Sequence, residues 1–187
     1  SCSLVQRGAL PLLPEAVRTR SALTCGADLV FALPAPCACA GAEAFARAGV
    51  ALLAAAGCDG LVFGAETPDA ALLMEAAELL DSDSYRAALK AQLAGGARSF
   101  AAARQAAAAQ LASDERVAAL LDKPNNNLAV EYCRAIRSLA PRMEAYPLPR
   151  QGANHGEALH SAHGQFASAS ALRKLWAEGG ADAVAPY

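Results

Sequence analysis

The sequence predicts an α/β fold, a doubly wound parallel sheet with a helical insertion over about residues 68–121. Two continuous apolar runs bounded by glycine or proline, residues 28–33 and 60–63, are typical of strands covered on both faces. Between them, residues 41–56 carry apolar side chains at helical spacing, which predicts a strand–helix–strand unit with a right-handed crossover. Such alternation of helix and strand is typical of a doubly wound sheet.

Helices account for most of the remaining chain up to the end of the insertion. Apolar periodicity predicts a helix over residues 14–25, and Gly26 follows it at the position where a glycine commonly ends a helix. From Pro68 to about Leu121 the pattern is helical throughout, with polar or glycine-rich turns between the helices. The predicted helices of this insertion cover residues 71–80, 84–93 and 99–111.

After the insertion the chain returns to an α/β pattern. Pro124 begins a predicted turn, and residues 126–140 form an amphipathic helix. Residues 143–148 predict a final strand that is broken near its exit by two prolines, which cannot donate to a sheet ladder. The polar, glycine-rich residues 151–165 predict a loop that leads to a helix after Phe166. Residues 1–187 are predicted to belong to one domain.

Composition limits the classes of function that the chain can have. Hydrophobic residues make up 55% of the 187 residues and aromatic residues only 5%, so alanine, leucine and valine must supply most of the packing. The formal net charge of −2 excludes a general electrostatic attraction to nucleic acid. Any contact with RNA must therefore be local or be supplied by another part of the protein.

The cysteines and the apolar runs indicate a cytoplasmic protein. None of the six cysteines forms a CxxC pair, which predicts reduced and mostly buried thiols. The uninterrupted apolar stretches are too short to span a bilayer, and no basic-then-apolar leader precedes them. Because the sequence opens at Ser1 without a methionine, the true N-terminus is expected upstream.

A run of small residues at 167–173 has the character of a phosphate-binding helix start. Ser168 and Ser170 leave backbone N–H groups uncovered at the positive end of the helix dipole, and Arg173 adds a fork of donors. Such a helix start is suited to holding a phosphate group. The alternative is an ordinary helix cap, because serine and alanine also cap and fill helices.

Three separate segments are expected to face one crevice at the carboxyl ends of the strands, where ligands of doubly wound sheets bind. Gly64, followed by Glu66, ends one strand and permits a nucleotide to approach the backbone. Arg150 follows the last strand and can neutralise phosphate, and the helix start at residues 168–173 is expected nearby. A plain strand-end turn at Gly64 and a solvated charge at Arg150 are the alternatives.

Two further segments carry candidates for substrate contact. Asn125 and Asn126 have amide groups that can bind a nucleobase or ribose through paired donor and acceptor atoms. Asparagine is equally suited to a turn or a helix N-cap, which is the alternative. Gln6 and Arg7 would follow a strand that is incomplete in this sequence, and the basic residue either faces substrate or is an exposed loop charge.

The histidines do not have the spacing of a metal site. His155, His160 and His163 do not share one helical face, glycines surround them, and no cysteine completes a ligand set. His155 is instead a candidate polar or proton-handling group on the substrate side of the crevice. No nucleophile elbow, Walker loop or GxGxxG is present, so the residues alone identify no catalytic group.

Several stretches match the motifs of one family, in the family's order, from end to end of the chain. They are Val5-Gln6-Arg7-Gly8, residues 26–34, residues 42–46, Phe63-Gly64-Ala65-Glu66, residues 124–128, Glu131-Tyr132, Arg150-Gln151-Gly152 with His155, and residues 167–173. In these stretches the chain resembles the bacterial tRNA(Met) cytidine acetate ligases, which belong to the wider HxGH nucleotidyltransferase-like group.

The resemblance implies a Rossmann-like core that binds ATP, activates acetate as acetyl-adenylate and passes the acetyl group to N4 of the wobble cytidine in elongator tRNA(Met). Mg²⁺ is expected to accompany ATP. Adenylation requires little covalent chemistry from the protein. Catalysis therefore depends mainly on stabilising the charge that develops at the α-phosphate. By position, the residues that the resemblance assigns to ATP are Gly64, Asn125, Asn126, Arg150, Ser168, Ser170 and Arg173.

The chain also departs from the family pattern. Family members begin with a strand and an HxGH motif whose histidines hold the nucleotide phosphates, and this sequence contains no such motif. Ala32 replaces a glutamate, Pro14-Glu15-Ala16 replaces an Asp-Lys-Trp stretch, and Asn154-His155-Gly156 replaces Tyr-His-Asp. The family has a further C-terminal helical region that helps to hold tRNA. A complete gene is therefore expected to encode HxGH upstream of Ser1.

Two classes of function stay open at the level of sequence. The first is an enzyme, the nucleotidyltransferase core of an acetate ligase. The second is a catalytically degenerate homologue, a nucleotide-binding or protein-interaction module that has kept the fold and lost the chemistry, as the replaced polar residues indicate. A third interpretation keeps adenylyl transfer but changes the acceptor to another small acid or nucleotide.

Overall fold

The computed structural model describes residues 11–150 and 169–185, with side chains in the second range from Ala171 onward. The chain divides into two compact units, Ser1–Pro149 and Arg150–Tyr187. The elements of the first unit are α1 (Glu15–Thr24), α2 (Ala35–Ala38), α3 (Ala42–Ala55), β1 (Gly60–Ala65), α4 (Ala70–Asp81), α5 (Asp83–Ala94), α6 (Phe100–Leu111), α7 (Glu115–Leu120), α8 (Pro124–Leu139) and β2 (Glu144–Pro149).

The sheet of the described residues consists of β1 and β2, which run parallel. Gly60 pairs with Glu144 at one end of the register and Ala65 with Pro149 at the other. Both strands were predicted, and the α/β class with a parallel sheet is confirmed. The predicted break at the prolines is wrong, because β2 continues through Pro147 to Pro149. Within the described part β2 has one neighbour, and an edge strand tolerates proline.

The strand predicted over residues 28–33 is wrong. The segment has no regular secondary structure, and it pairs with no strand of the described residues. The apolar run predicted that these side chains would be covered on both faces. Instead, Leu29 is 65% exposed and Phe31 is 40% exposed. A strand requires a hydrogen-bonded neighbour as well as apolar side chains, and local composition reports only the second condition.

Helix α8 packs against β1 and against α3 and α4, and these four elements contribute to the core. Leu73 of α4 and Val130 of α8 are fully buried, and the ring of Tyr132 lies 5.4 Å from the ring of Phe63 in β1. Side chains of β1 alternate, so that Phe63 is buried while Val62 is 59% exposed. One face of β1 is therefore covered by helices, where both faces were predicted to be covered.

The helical insertion is confirmed as α4 to α7. Each of these helices begins at a polar residue whose side chain accepts a hydrogen bond from a backbone N–H of the first turn, which satisfies a donor that the helix itself leaves unpaired. The capping residues are Asp69, Ser82, Ser99 and Asp114. The short helices α2 and α7 were not predicted individually, since neither is long enough to show a helical period.

The helix predicted over residues 14–25 is confirmed by α1, which Gly26 follows with a φ of 101°. The expectation of mostly buried thiols is wrong for the described residues. Cys133 is fully buried in α8, and burial raises its pKa to about 12. Cys25 and Cys58 are exposed, because both lie just past the end of a helix, where its apolar face has stopped.

The second unit contains α9 (Ala169–Val184), which confirms the helix predicted after Phe166. At Gly180 the backbone leaves the helical conformation, with a φ of 71°. The loop predicted over residues 151–165 lies outside the described residues. No helix in the described ranges has the length and apolar character needed to pass through a membrane.

Candidate functional site

The carboxyl end of β1 meets the amino end of α8 through the side chain of Glu66. Its Oε1 accepts hydrogen bonds from the backbone N of Asn125 at 3.2 Å and from Asn125 Nδ2 at 2.7 Å. Its Oε2 accepts from the backbone N of Asn126 at 2.6 Å. The residue before the helix, Lys123, provides no side-chain cap. A carboxylate from the end of β1 therefore caps α8 and neutralises the positive end of its dipole.

The Glu66 carboxyl group is held in its ionised form by this arrangement. Burial raises its pKa, but the hydrogen bonds from Asn125 and Asn126 outweigh that effect and lower the pKa below its ordinary value. Because both oxygens accept bonds from α8, the carboxylate is a fixed positioning group between strand and helix.

Asn126 fixes the next residue of the same loop. Its side chain is buried, with 1% of the residue exposed. Asn126 Oδ1 accepts a hydrogen bond from the backbone N of Thr67 at 2.9 Å, and its Nδ2 donates to Thr67 Oγ1 at 3.1 Å. This geometry gives Asn126 a positioning role, and a direct contact with a nucleotide stays a prediction.

The third asparagine holds the loop that leads into α8. Asn127 Nδ2 donates to the backbone oxygen of Leu121 at 2.6 Å and to that of Lys123 at 3.0 Å. The turn predicted from Pro124 is in fact the first turn of α8, so Asn125, Asn126 and Asn127 are helical residues. Proline is suited to this place because its fixed φ fits the first turn of a helix.

The structure brings together three of the residues predicted to bind ATP. Gly64 is exposed near the end of β1, and the contacts of Glu66 and Thr67 hold Asn125 and Asn126 against the loop that follows this strand. Sequence reasoning placed Glu66 at the crevice but missed that it caps α8. That pairing joins residues 59 and 60 positions apart, which local sequence patterns do not report.

The other predicted site residues belong to the second unit or lie outside the described residues. Arg150 follows β2, and Arg173 is exposed on α9. The crevice that these arginines were expected to share with Gly64 stays a prediction. The remaining positions, for which the structure describes no side chain, are Gln6, Arg7, His155, Ser168 and Ser170.

Metal-binding side chains are not clustered in the described part of the chain. No group of three or more histidine, cysteine, aspartate or glutamate side chains there is placed to hold a metal ion. The two carboxylates that follow β1 are both used as helix caps, Glu66 on α8 and Asp69 on α4.

A second polar region, which sequence reasoning missed, is an open groove of about 520 Å³ between α3, α5, α6 and α8. At its base the side chain of Glu131 is 2% exposed, and it accepts from Arg104 Nη2 at 2.8 Å and from Arg134 Nη1 at 2.7 Å. Arg134 Nε also donates to Asp81 Oδ1 at 2.8 Å. We call this the arginine groove, and its defining residues are Arg47, Arg86, Phe100, Arg104, Glu131 and Arg134.

The charges at the base of the arginine groove are fixed by pairing. Burial lowers the pKa of Arg134, but the carboxylates of Asp81 and Glu131 outweigh this and raise it above its ordinary value. The signal in the sequence was the spacing of Glu131 and Arg134, which are three residues apart on one helix and can therefore pair.

Comparison with known proteins defines the class. The model of the HIGH Nucleotidyl Transferase family matches residues 1–186, and the chain belongs to this family. Within it, the chain is similar to the tRNA(Met) cytidine acetate ligase of Syntrophotalea carbinolica, with 40% identity over 94% of this chain and 42% of that protein. The same-named protein of Caldanaerobacter subterraneus subsp. tengcongensis is 34% identical over 100% of this chain and 47% of its own length.

Solved structures show the same similarity. TmcAL of Thermotoga maritima bound with alpha-thio ATP superposes with a TM-score of 0.84 at 30% identity, over 97% of this chain and 43% of that chain. Its apo form gives a TM-score of 0.87 at 31% identity, over 97% and 44%. The chain thus spans less than half the length of the relatives it matches. The family resemblance seen in the sequence is confirmed.

Proposed function

We propose that this chain is the ATP-binding part of a ligase that acetylates N4 of the wobble cytidine of elongator tRNA(Met). The observation that carries the proposal is the fold match over 97% of the chain to a protein solved with alpha-thio ATP. Relatives that cover nearly all of the chain and are named tRNA(Met) cytidine acetate ligases support the same substrate. Such a substrate places the reaction in the cytoplasm.

The proposed reaction has two steps. First, a carboxylate oxygen of acetate attacks the α-phosphorus of ATP, the bond from that phosphorus to the bridging oxygen breaks, and pyrophosphate leaves. Second, N4 of cytidine attacks the acetyl carbon of acetyl-adenylate, AMP leaves, and N4 loses a proton. Charge accumulates on the α-phosphate in the first step, so arginine forks and backbone N–H groups lower its barrier.

In this proposal ATP lies at the carboxyl end of β1. Gly64 lets the nucleotide approach the backbone, and Asn125 presents a half-buried amide that Glu66 orients. Asn126 positions the loop after β1 through the hydrogen bond that its side chain donates to Thr67. Phosphate contacts are assigned to Arg150, Arg173, Ser168 and Ser170, and the acetate and cytidine side to Gln6, Arg7 and His155. Mg²⁺ would be held mainly by the phosphates of ATP.

Two measurements test the proposal. Calorimetry with ATP on this chain should show binding, and the full gene product should exchange labelled pyrophosphate into ATP only when acetate is present. Replacing acetate by propionate or glycine tests the acceptor acid. Absence of ATP binding would overturn the proposal, whereas ATP binding without exchange for any acid would identify the catalytically degenerate homologue.

A further inference from the structure

We propose that the arginine groove binds an unpaired stretch of RNA, an inference that rests on the proposed function and adds a docking site for its RNA substrate. The chain has a formal net charge of −2, so a contact with RNA has to be local. Four arginines line the groove, but Glu43 and Glu131 also line it, and Asp81 and Asp83 pair with two of the arginines. A contact with RNA therefore depends on individual guanidinium groups at the rim and not on a net positive charge of the groove. Planar guanidinium forks are suited to phosphate oxygens.

The arginines of the groove fall into two pairs with different roles. Arg104 and Arg134 are only 17% and 22% exposed in their side chains, and both are bonded to Glu131. Because they are largely buried, Arg104 and Arg134 form the floor of the groove, and their charges are largely compensated by Glu131. Arg47 and Arg86 stand at the rim, where they are exposed.

The rim arginines are available to a phosphate. Arg47 Nη1 donates to Ser138 Oγ at 3.0 Å, and Arg47 has no carboxylate partner within the described residues. Arg86 pairs with Asp83 at 2.6 Å, but the two side chains are 63% and 97% exposed. An ion pair this exposed contributes little stability, so a phosphate oxygen can take the place of Asp83.

An exposed aromatic ring completes the groove. Phe100 is the first residue of α6, lines the groove and is 59% exposed. Unpaired bases stack on such rings, whereas a duplex keeps its bases stacked on one another. Ring and guanidinium groups together therefore favour unpaired RNA over duplex RNA or an acidic peptide.

Helix α8 connects the groove with the end of β1. Asn125 lies in its first turn, and Glu131 and Arg134 follow on the same helix. At 1.5 Å per residue these positions are about 9–14 Å apart along the axis. At 3.6 residues per turn Arg134 lies on the opposite side of α8 from Asn125, so an RNA strand that reaches both the groove and the nucleotide end has to pass around the helix.

The test measures RNA binding by fluorescence anisotropy at several salt concentrations. The probes are an elongator tRNA(Met) transcript, an unpaired oligonucleotide with its anticodon-loop sequence, and a duplex of the same length. We expect the unpaired probe to bind more tightly than the duplex. The double variant Arg47→Gln/Arg86→Gln should weaken that binding roughly tenfold or more and reduce the salt slope by about 1.4, as expected for two lost contacts to single-stranded phosphates. Phe100→Ala should weaken it about tenfold.

The control is Arg142→Gln, an exposed arginine in the turn before β2 and outside the groove. Arg104 and Arg134 are left unchanged, because removing them would leave the buried carboxylate of Glu131 without its ion-pair partners. Circular dichroism confirms that each variant is folded. The inference is overturned if RNA does not bind, if Arg142→Gln weakens binding equally, or if poly-glutamate competes as well as unpaired RNA of the same charge.

Pyrophosphate exchange separates this inference from the proposed function. Acetate-dependent exchange needs no RNA, so the groove variants should retain it while RNA affinity falls. If neither the parent protein nor any variant exchanges pyrophosphate, the proposed function fails. Binding of RNA that depends on the groove residues would still support the inference that the groove binds RNA. If exchange is normal and groove variants bind RNA as the parent does, only the groove inference fails.

Discussion

At the scale of single residues, Glu66 links the end of a strand to the start of a helix 59 positions later. Its ionised carboxylate accepts from two successive N–H groups of α8, which the helix itself cannot satisfy. The hydrogen bond from Asn125 Nδ2 to Glu66 Oε1 fixes the orientation of the Asn125 side-chain amide. A single side chain thus contributes to stability and to the shape of the candidate site.

Glu66→Gln should lower the free energy of unfolding by about 1–3 kcal/mol at pH 7, because the neutral amide accepts these hydrogen bonds less well. The pKa of Glu66 is lowered in the folded state, so its contribution is fully present above the unfolded value near 4.5 and is lost as the pH falls through the folded pKa. Urea unfolding of both proteins at pH 7 and below pH 4.5 should show their difference shrinking in acid. Glu115→Gln, in the first turn of α7, is the matched control.

Asn126→Ala should cost about 1–3 kcal/mol of unfolding free energy, because it leaves the backbone N–H of Thr67 without its partner in a part-buried place. Asn127→Ala removes bonds to one part-buried and one exposed carbonyl oxygen, and it should cost less because the exposed oxygen can accept from water instead. Denaturant titration measures both. Equal stability of Asn126→Ala and the parent would contradict the positioning role.

At the scale of elements, the charged pairs of Glu131 tie the insertion to the core. Arg104 lies on α6, Arg134 and Glu131 on α8, and Asp81 at the end of α4, so the network joins three helices. The carboxylate is almost wholly buried, and it is satisfied on both oxygens. Its geometry holds the groove floor in one arrangement.

Glu131→Ala should destabilise the protein by about 3 kcal/mol, because two partly buried guanidinium groups lose their shared partner. Asp83→Ala removes the exposed partner of Arg86 and should cost less than about 1 kcal/mol. Thermal and urea unfolding measure both changes. A loss from Asp83→Ala as large as that from Glu131→Ala would show that burial does not decide the strength of these pairs.

The elements also show what a sequence can predict. Residues 28–33 and β1 have the same apolar pattern, yet only β1 is a strand, because its partner β2 begins 79 residues after its last residue. Helices were predicted well, since their hydrogen bonds and caps are local in sequence. The pairings of Glu66 and Glu131 were not predicted, because each depends on how distant elements pack.

At the scale of the whole molecule, the proposed ATP site draws on residues far apart in the chain. Arg150→Ala and Arg173→Ala should each weaken ATP binding by about 1.5–3 kcal/mol, as expected for losing one charged hydrogen-bonding partner of a phosphate. Lys174→Ala, the next residue on α9, is the control and should bind ATP as the parent does. Unchanged calorimetric affinity in both arginine variants would show that the pocket has been misplaced.

The inaccessible thiol of Cys133 makes the opening of α8 measurable by alkylation. Burial raises its pKa to about 12, so iodoacetamide can modify it only when the helix separates from the core. Cys25 and Cys58 are exposed and serve as internal standards for reagent activity in the same sample. Mass spectrometry of the modified peptides then reports the population in which the helix that carries Asn126 and Glu131 is open, and a nucleotide bound at its first turn should lower the extent of modification.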